Sequence, residues 1–165
     1  MPAEEQNDTS RQSEVAGQHC QAEMYDSKPC GRSLYDGKVC LVHSDDPNKD
    51  NSAFQQEIER ILERAGEGVA DFTRFVFPEA NFAKRRFVAE CRFTEATFTQ
   101  EAYFSGAAFT QKAYFFRATF TQGANFSIAE FTQDASFGWA RFTQNADFFW
   151  VRFTQNAYFM GGSAM

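Results

Sequence analysis

Three cysteines and a histidine, Cys20, Cys30, Cys40 and His43, are the residues of this 165-residue chain whose types and spacing could do chemistry. Thiolate and imidazole are the donors zinc favours, and four protein donors close its tetrahedron with no position left for water or substrate. The Cys30-Gly31 step gives a tight backbone knuckle, and the C-x-x-H step from Cys40 to His43 sets two donors on one turn. The chemistry implied is one structural zinc, and no other cofactor. A segment this short, with almost no core of its own, needs such a staple. The nine-residue gaps on either side of Cys30 are not those of the common zinc fingers, and His19 competes with Cys20 as a ligand. The other reading is three reduced cysteines in a loop that packs on the adjoining domain.

No second constellation stands out. His19 and His43 are the two histidines, and there is no G-x-S-x-G, no glycine-rich phosphate loop and no carboxylate pair that falls on a shared face. The chain therefore reads as a non-enzyme. No apolar run approaches the roughly 18 residues of a membrane-spanning helix. The polar start, MPAEEQNDTSRQSE, lacks the apolar segment of a secretory leader, so the expected compartment is the cytoplasm and the cysteines are not expected to be a disulfide framework. The net charge of −6 is uneven. Residues 1–67 carry 14 acidic and 7 basic side chains, whereas residues 68–165 carry 8 and 9.

The elements that must hold the cysteine cluster follow from composition and period. Residues 1–18 are polar without an apolar period and are expected as a disordered arm. Residues 19–43 form the Cys/His knuckle. Residues 44–67 hold a turn-rich linker, SDDPNKDN, and then Phe54, Ile58, Ile61 and Leu62 at i, i+4, i+7 and i+8. That spacing predicts an α-helix over 52–65, with Asp50, Asn51 or Ser52 as its N-cap and Gly66 at its end. The apolar stripe is narrow, so the helix must lie on an apolar surface.

Residues 68–161 change period completely. The chain has 21 Phe against three Leu, three Ile and seven Val. Seventeen Phe recur at 72, 77, 82, 87, 93, 98, 104, 109, 115, 120, 126, 131, 137, 142, 148, 153 and 159, in steps of 5 and then of alternating 6 and 5. Ala stands two residues before 13 of them; Phe75, Arg85, Cys91 and Val151 are the exceptions. Neither the helical nor the strand period fits, and a short fixed period argues for an all-β solenoid. Cys91, in an Ala slot, reads as an inert core residue, and Arg85 as a side chain that leaves the core or pairs with a helix carboxylate.

The units ADF, ANF, ATF and AYF, repeating in register from about residue 69 to 160, resemble the pentapeptide-repeat family. The resemblance implies a right-handed quadrilateral β-helix, four units per coil, with Phe and the preceding Ala pointing inward. Here every second unit holds one extra residue, so a coil should take about 22 residues, and 17 units make about four coils. The structural core should then include Phe93, Phe98, Phe104, Phe109, Phe115, Phe120, Phe126, Phe131, Phe137, Phe142, Phe148 and Phe153, stacked ring on ring about 4.8 Å apart. The string CGRSLYDGKVCLVHSDDPNKD before a short helix is similar, more weakly, to leaders of some bacterial pentapeptide-repeat proteins.

On the outside, the recurrent FTQ strings should stack as Thr and Gln columns, with the Gln amides forming a hydrogen-bonded ladder. Thr-Phe-Thr occurs only at 97–99 and 119–121, too seldom for a flat ice-binding face. Phe149, Trp150 and Trp139 occupy outward positions and are the candidate partner-binding residues. Both ends of a solenoid need covering. The helix serves at one end; at the other, Phe159 and Met160 suggest a homodimer, unless the chain continues in a longer parent. The function read from this is a non-enzymatic protein-binding or scaffold protein with an unknown protein partner. The alternative carried by the family resemblance is a DNA-mimic that interacts with a topoisomerase, against which the near-neutral repeat segment argues. Nucleic-acid binding through Lys84–Arg86 is the remaining, weaker reading.

Overall fold

The computed structural model describes residues 18–161, so the arm expected over residues 1–18 lies, apart from Gln18, outside the described residues. Residues 69–161 wind into a square β-solenoid of about four turns. Face one stacks β1 (Val69–Asp71), β5 (Glu90–Arg92), β9 (Ala113–Tyr114), β13 (Ala135–Ser136) and β17 (Ala157–Tyr158). Face two stacks β2 (Val76–Phe77), β6 (Thr97–Phe98), β10 (Thr119–Phe120) and β14 (Arg141–Phe142). Face three stacks β3 (Ala80–Asn81), β7 (Ala102–Tyr103), β11 (Ala124–Asn125) and β15 (Ala146–Asp147). Face four stacks β4 (Arg86–Phe87), β8 (Ala108–Phe109), β12 (Glu130–Phe131) and β16 (Arg152–Phe153). All pairings are parallel.

The register explains the sequence period. Pairs such as Thr119↔Arg141 and Ala124↔Ala146 are 22 residues apart. The first coil departs from that expectation, because Val69 pairs with Glu90 and Val76 with Thr97, 21 residues on. Its corner after Phe77 is Pro78-Glu79, one residue shorter than Thr99-Gln100-Glu101 below it. Pro78 has no N–H to give, which is harmless on a coil with no solenoid turn above it.

Two corner types alternate. Within the five-residue steps, apart from 77–82, the Phe carbonyl accepts from the N–H three residues on, as in Ala96 to Phe93 (3.1 Å) and Ala107 to Phe104 (3.0 Å). The third residue of these turns has positive φ: Arg74, Lys84, Glu95, Arg117, Ile128, Trp139 and Trp150, with Gly106 and Gly161 in the same role. Within the six-residue steps from Phe98 onward a Thr takes the place of that turn bond. Thr121 donates its N–H (3.0 Å) and its Oγ1 hydroxyl (2.9 Å) to the Phe98 carbonyl of the coil before, and Thr99, Thr110, Thr132, Thr143 and Thr154 repeat the hydroxyl contact. The polar ladder is thus threonine hydroxyl to backbone. Among the described residues no hydrogen bond joins the Gln amides, because the inner Thr already reaches the carbonyls and the Gln side chains stand one position further along the corner.

The rings form four continuous columns. Phe98 stacks on Phe120 at 4.6 Å and 1°, Phe104 on Phe126 at 4.8 Å and 1°, Phe109 on Phe131 at 4.8 Å and 2°, and Phe115 on Phe137 at 4.9 Å and 3°. Within a layer, neighbours meet edge to face, as for Phe104 and Phe115 at 5.5 Å and 87°. Both geometries suit the ring quadrupole. Ala at the preceding inward position leaves room for this packing. Of the expected core, Phe93 to Phe137 are buried, whereas Phe142, Phe148 and Phe153 are only partly so. These three sit in the last described layer, where only the coil before covers them. Cys91 is buried in its Ala slot, and burial pushes its thiol up to about 12.

The helix α1 (Asn51–Ala65) lies over the opening of the first coil. Asp50 caps it by accepting from the Ala53 N–H at 3.0 Å. Phe54 meets Phe77 edge to face at 5.3 Å, and Phe54 and Ile58 are fully buried. Phe75, where later coils carry Ala, fills the space between Phe54, Phe72 and the knuckle. Arg85, the other large residue in an inward slot, turns out to α1 and binds Glu59 through both guanidinium nitrogens at 2.6 and 2.7 Å.

Candidate metal centre

Residues 19–43 fold as two small loops. The first is a ribbon bridged at His19–Ser33 and Glu23–Pro29, with the Cys20 N–H donating to Arg32 O and the Gly31 N–H to Cys20 O. Gly31, at φ 71°, lets the chain turn straight after Cys30. In the second loop the Asp36 carboxylate accepts from the Lys38 and Val39 N–H groups and from the Ser44 hydroxyl. These contacts hold its carboxyl down at about 2. The Cys40 carbonyl accepts from the N–H groups of both His43 and Ser44, so the C-x-x-H step is a closed turn with both side chains on one side.

The four donor atoms of Cys20, Cys30, Cys40 and His43 lie within 4.8 Å of one another. His43 Nδ1 is 3.5 Å from Cys20 Sγ and 3.3 Å from Cys40 Sγ, and Cys30 Sγ is 3.7 Å from Cys40 Sγ. A tetrahedral zinc with thiolate and imidazole ligands needs edges of about 3.3–3.8 Å, so these three separations already fit the ion. The sulfur of Cys20, and not the ring of His19, belongs to this cluster. His43 Nε2 is 3.1 Å from the carbonyl of Thr73, which can only accept. The ring proton must therefore sit on Nε2, leaving the Nδ1 lone pair turned into the cluster, the state a metal requires.

The charge around the cluster also fits. Three thiolates and one divalent ion leave one negative charge, and Arg32, absent from the sequence-derived site, supplies the opposite sign. Its Nη1 lies 3.1 Å from Cys30 Sγ, while its Nε donates to Glu57 of α1 at 3.0 Å. Hydrogen bonds, first from Cys40 and then from His43 and Arg32, draw the Cys30 thiol well below its ordinary value, against the opposing effect of burial. The Cys40 thiol moves up in consequence, since it becomes the donor of the pair. An Arg two residues after a Cys gives no sequence signal; only the fold brings it back over the sulfur.

The cluster is tied to the solenoid at several points. His43 packs edge to face on Phe75 at 5.2 Å, and Val42 O accepts from the Val76 N–H of β2, satisfying an edge that no coil precedes. Lys49, in the segment expected to be a turn-rich linker, is buried and donates from Nζ to the carbonyls of Leu41, Ser44 and Val76. Between the knuckle and α1 a cavity of about 340 Å³ is lined by Arg32, Cys40, Glu57 and Arg60, among others.

With the geometry in place, the comparison with known families falls on the solenoid. Residues 93–138 match the family model described as pentapeptide repeats (9 copies). These residues are pentapeptide repeats. The solenoid to which they belong continues on both sides in unbroken parallel pairing, from β1 to β17. No curated protein and no solved structure matches the chain.

The proposed surface sites are distributed differently from their reading in sequence. Trp139 lies on the corner between faces one and two, whereas Phe149 and Trp150 lie on the corner between faces three and four, diagonally across the square. They cannot form one patch, because they occupy corresponding positions of turns half a coil apart. Phe149 and Trp150 do stack on each other at 5.6 Å, and Trp150 is 76% exposed. Phe159, 48% exposed, and Met160, 79% exposed, lie on the last described layer. The basic triplet is not a free cationic cluster either, since Arg85 is paired with Glu59. No helix among the described residues is long and apolar enough to cross a membrane.

Proposed function

We infer that this chain is a non-enzymatic scaffold, a rigid pentapeptide-repeat rod capped by a zinc knuckle, that binds protein partners through its last coil. The single observation that carries the reading is the uneven distribution of exposed apolar groups. Trp139, Phe149, Trp150, Tyr158, Phe159 and Met160 are all exposed and all belong to the last turn, whereas in the preceding coils Tyr103 is the one exposed aromatic side chain among the described residues. On so rigid a frame such groups are presented with little ordering entropy to lose on binding.

Two occupants divide this surface. The half-exposed layer of Phe142, Phe148, Phe153 and Phe159 suits a second copy, since an identical layer offers rings in the same square arrangement and four more sheet edges. The Phe149–Trp150 corner projects sideways and remains free for the unknown partner. At the other end one zinc on Cys20, Cys30, Cys40 and His43 ties the knuckle to α1 and the first coil.

The test pairs two measurements. Sedimentation of the full chain at tens of micromolar should give a dimer that Phe159→Glu converts to monomer. Affinity capture from a bacterial lysate should then return a partner that is lost from Phe149→Ser/Trp150→Ser while the dimer persists. A monomeric wild-type chain would dispose of the end-to-end contact. Partners held equally by the corner variant would dispose of the corner.

A further inference from the structure

We propose that the cavity between the knuckle and α1 binds a small monocarboxylate with an aliphatic body, the chemistry shared by a short fatty acid and the C-terminal end of an apolar peptide. The cavity holds about 340 Å³, and sites that take small ligands hold about 300–1,000 Å³. One part of its lining is cationic. Arg32 comes from the first loop and Arg60 from α1, and the Glu57 carboxylate accepts from Arg32 Nε at 3.0 Å and, on its other oxygen, from Arg60 Nη1 at 3.4 Å. Two guanidinium charges against one carboxylate leave one positive charge. Arg32 Nη2, Arg60 Nη2 and the Gln56 carboxamide make no hydrogen bond among the described residues. The groups left over are therefore mainly donors, and they ask for an anion.

Much of the remaining lining is apolar. Leu41 and Val42 come from the knuckle and Ala53 from the first turn of α1. A ligand that answers both parts carries one carboxylate for the free N–H groups and a hydrocarbon body to cover these three side chains. A dianion such as phosphate fits less well, because one net positive charge does not balance it and the Glu57 carboxylate stands close to both guanidiniums. A cation finds no open acceptor on Glu57, whose two oxygens are both engaged. Glu57 holds the two arginines in place before a ligand arrives, so little side-chain freedom is lost on binding. None of the groups used here is one of the four metal donors, so the site stands whether or not an ion is bound.

The experiment is calorimetric titration of the full chain, thiols reduced, with acetate, butyrate, hexanoate, hexanamide, inorganic phosphate, and N-acetyl-valyl-leucine with its carboxyl free or amidated. Affinity should rise about two- to fourfold for each added methylene of the acid. Hexanamide, phosphate and the amidated peptide should bind at least about tenfold more weakly than their carboxylate counterparts. Arg60→Gln should weaken hexanoate about tenfold and leave the melting curve unchanged, since the Arg60 side chain is 58% exposed and bonds only Glu57 among the described residues. Ala53→Leu, which keeps a helix former and fills the lining, should abolish binding. The free peptide binding more tightly than hexanoate assigns the site to peptide C-termini, and the reverse order assigns it to free acids. No heat from hexanoate at millimolar concentration, hexanamide or phosphate binding as well as hexanoate, or unchanged affinity in either folded variant would overturn the proposal.

Discussion

At the residue scale, the corner positions with positive φ carry a cost that the fold tolerates. A side chain with a Cβ in the left-handed region costs about 1–2 kcal/mol, and a β-branched one sits there least willingly. Ile128 has φ 51° and is 58% exposed, so little packing offsets that cost. Gly106, one coil earlier, shows the residue the turn prefers. Ile128→Gly should therefore stabilise the chain by about 0.5–1 kcal/mol after the extra freedom of glycine in the unfolded state is subtracted. Chemical denaturation would read this, and a loss of stability would show that Ile128 is held by contacts more favourable than the strain. These turns were not legible in the sequence. A turn of this kind announces itself by glycine, and Arg74, Glu95, Arg117 and Trp139 hide it. Arg32 and Lys49 escaped for a related reason: their partners are backbone carbonyls and sulfurs brought near only by the fold.

At the element scale, each two-residue strand is too short to be stable alone, and the columns hold the strands together. Phe115 stacks between Phe93 at 4.8 Å and Phe137 at 4.9 Å and is fully buried. Phe115→Ala should cost about 3–5 kcal/mol. Phe153→Ala, in the partly open last layer, should cost clearly less in the monomer, since part of its surface is already in water. Equal losses would contradict the burial gradient along the rod. The threonine corners are the second device. Thr121 Oγ1 lies 2.9 Å from Phe98 O and 3.1 Å from Thr99 O, so Thr121→Val should cost about 1 kcal/mol, read by thermal melting. The inward Phe and Ala positions were legible through the family resemblance that the repeat carries, and the packing agrees with it, because the inside of a narrow square tube admits one large and one small residue in fixed alternation. The Gln columns were legible as columns but not as a ladder, since sequence does not say which of two adjacent polar side chains reaches the carbonyls.

At the scale of the whole molecule, the two ends differ. One is closed by α1, Phe75 and the knuckle, with Val42, Lys49 and His43 satisfying the backbone of the first coil. The other shows its last ring layer and bears the exposed aromatics. The cysteine cluster was legible from residue type, in spite of its unusual spacing, as a set of donors that could hold a metal ion. Its attachment to the solenoid was not, because the Thr73 carbonyl that fixes His43 is 30 residues away. The surface sites were legible as outward positions, but their division between opposite corners required the count of faces. The claim on which the rest stands is that the knuckle is a closed metal centre locking the start of the rod. Elemental analysis of the purified chain with its thiols kept reduced tests it most directly. About one zinc per chain is the result expected of a closed four-ligand site, and less than about 0.2 per chain would contradict it.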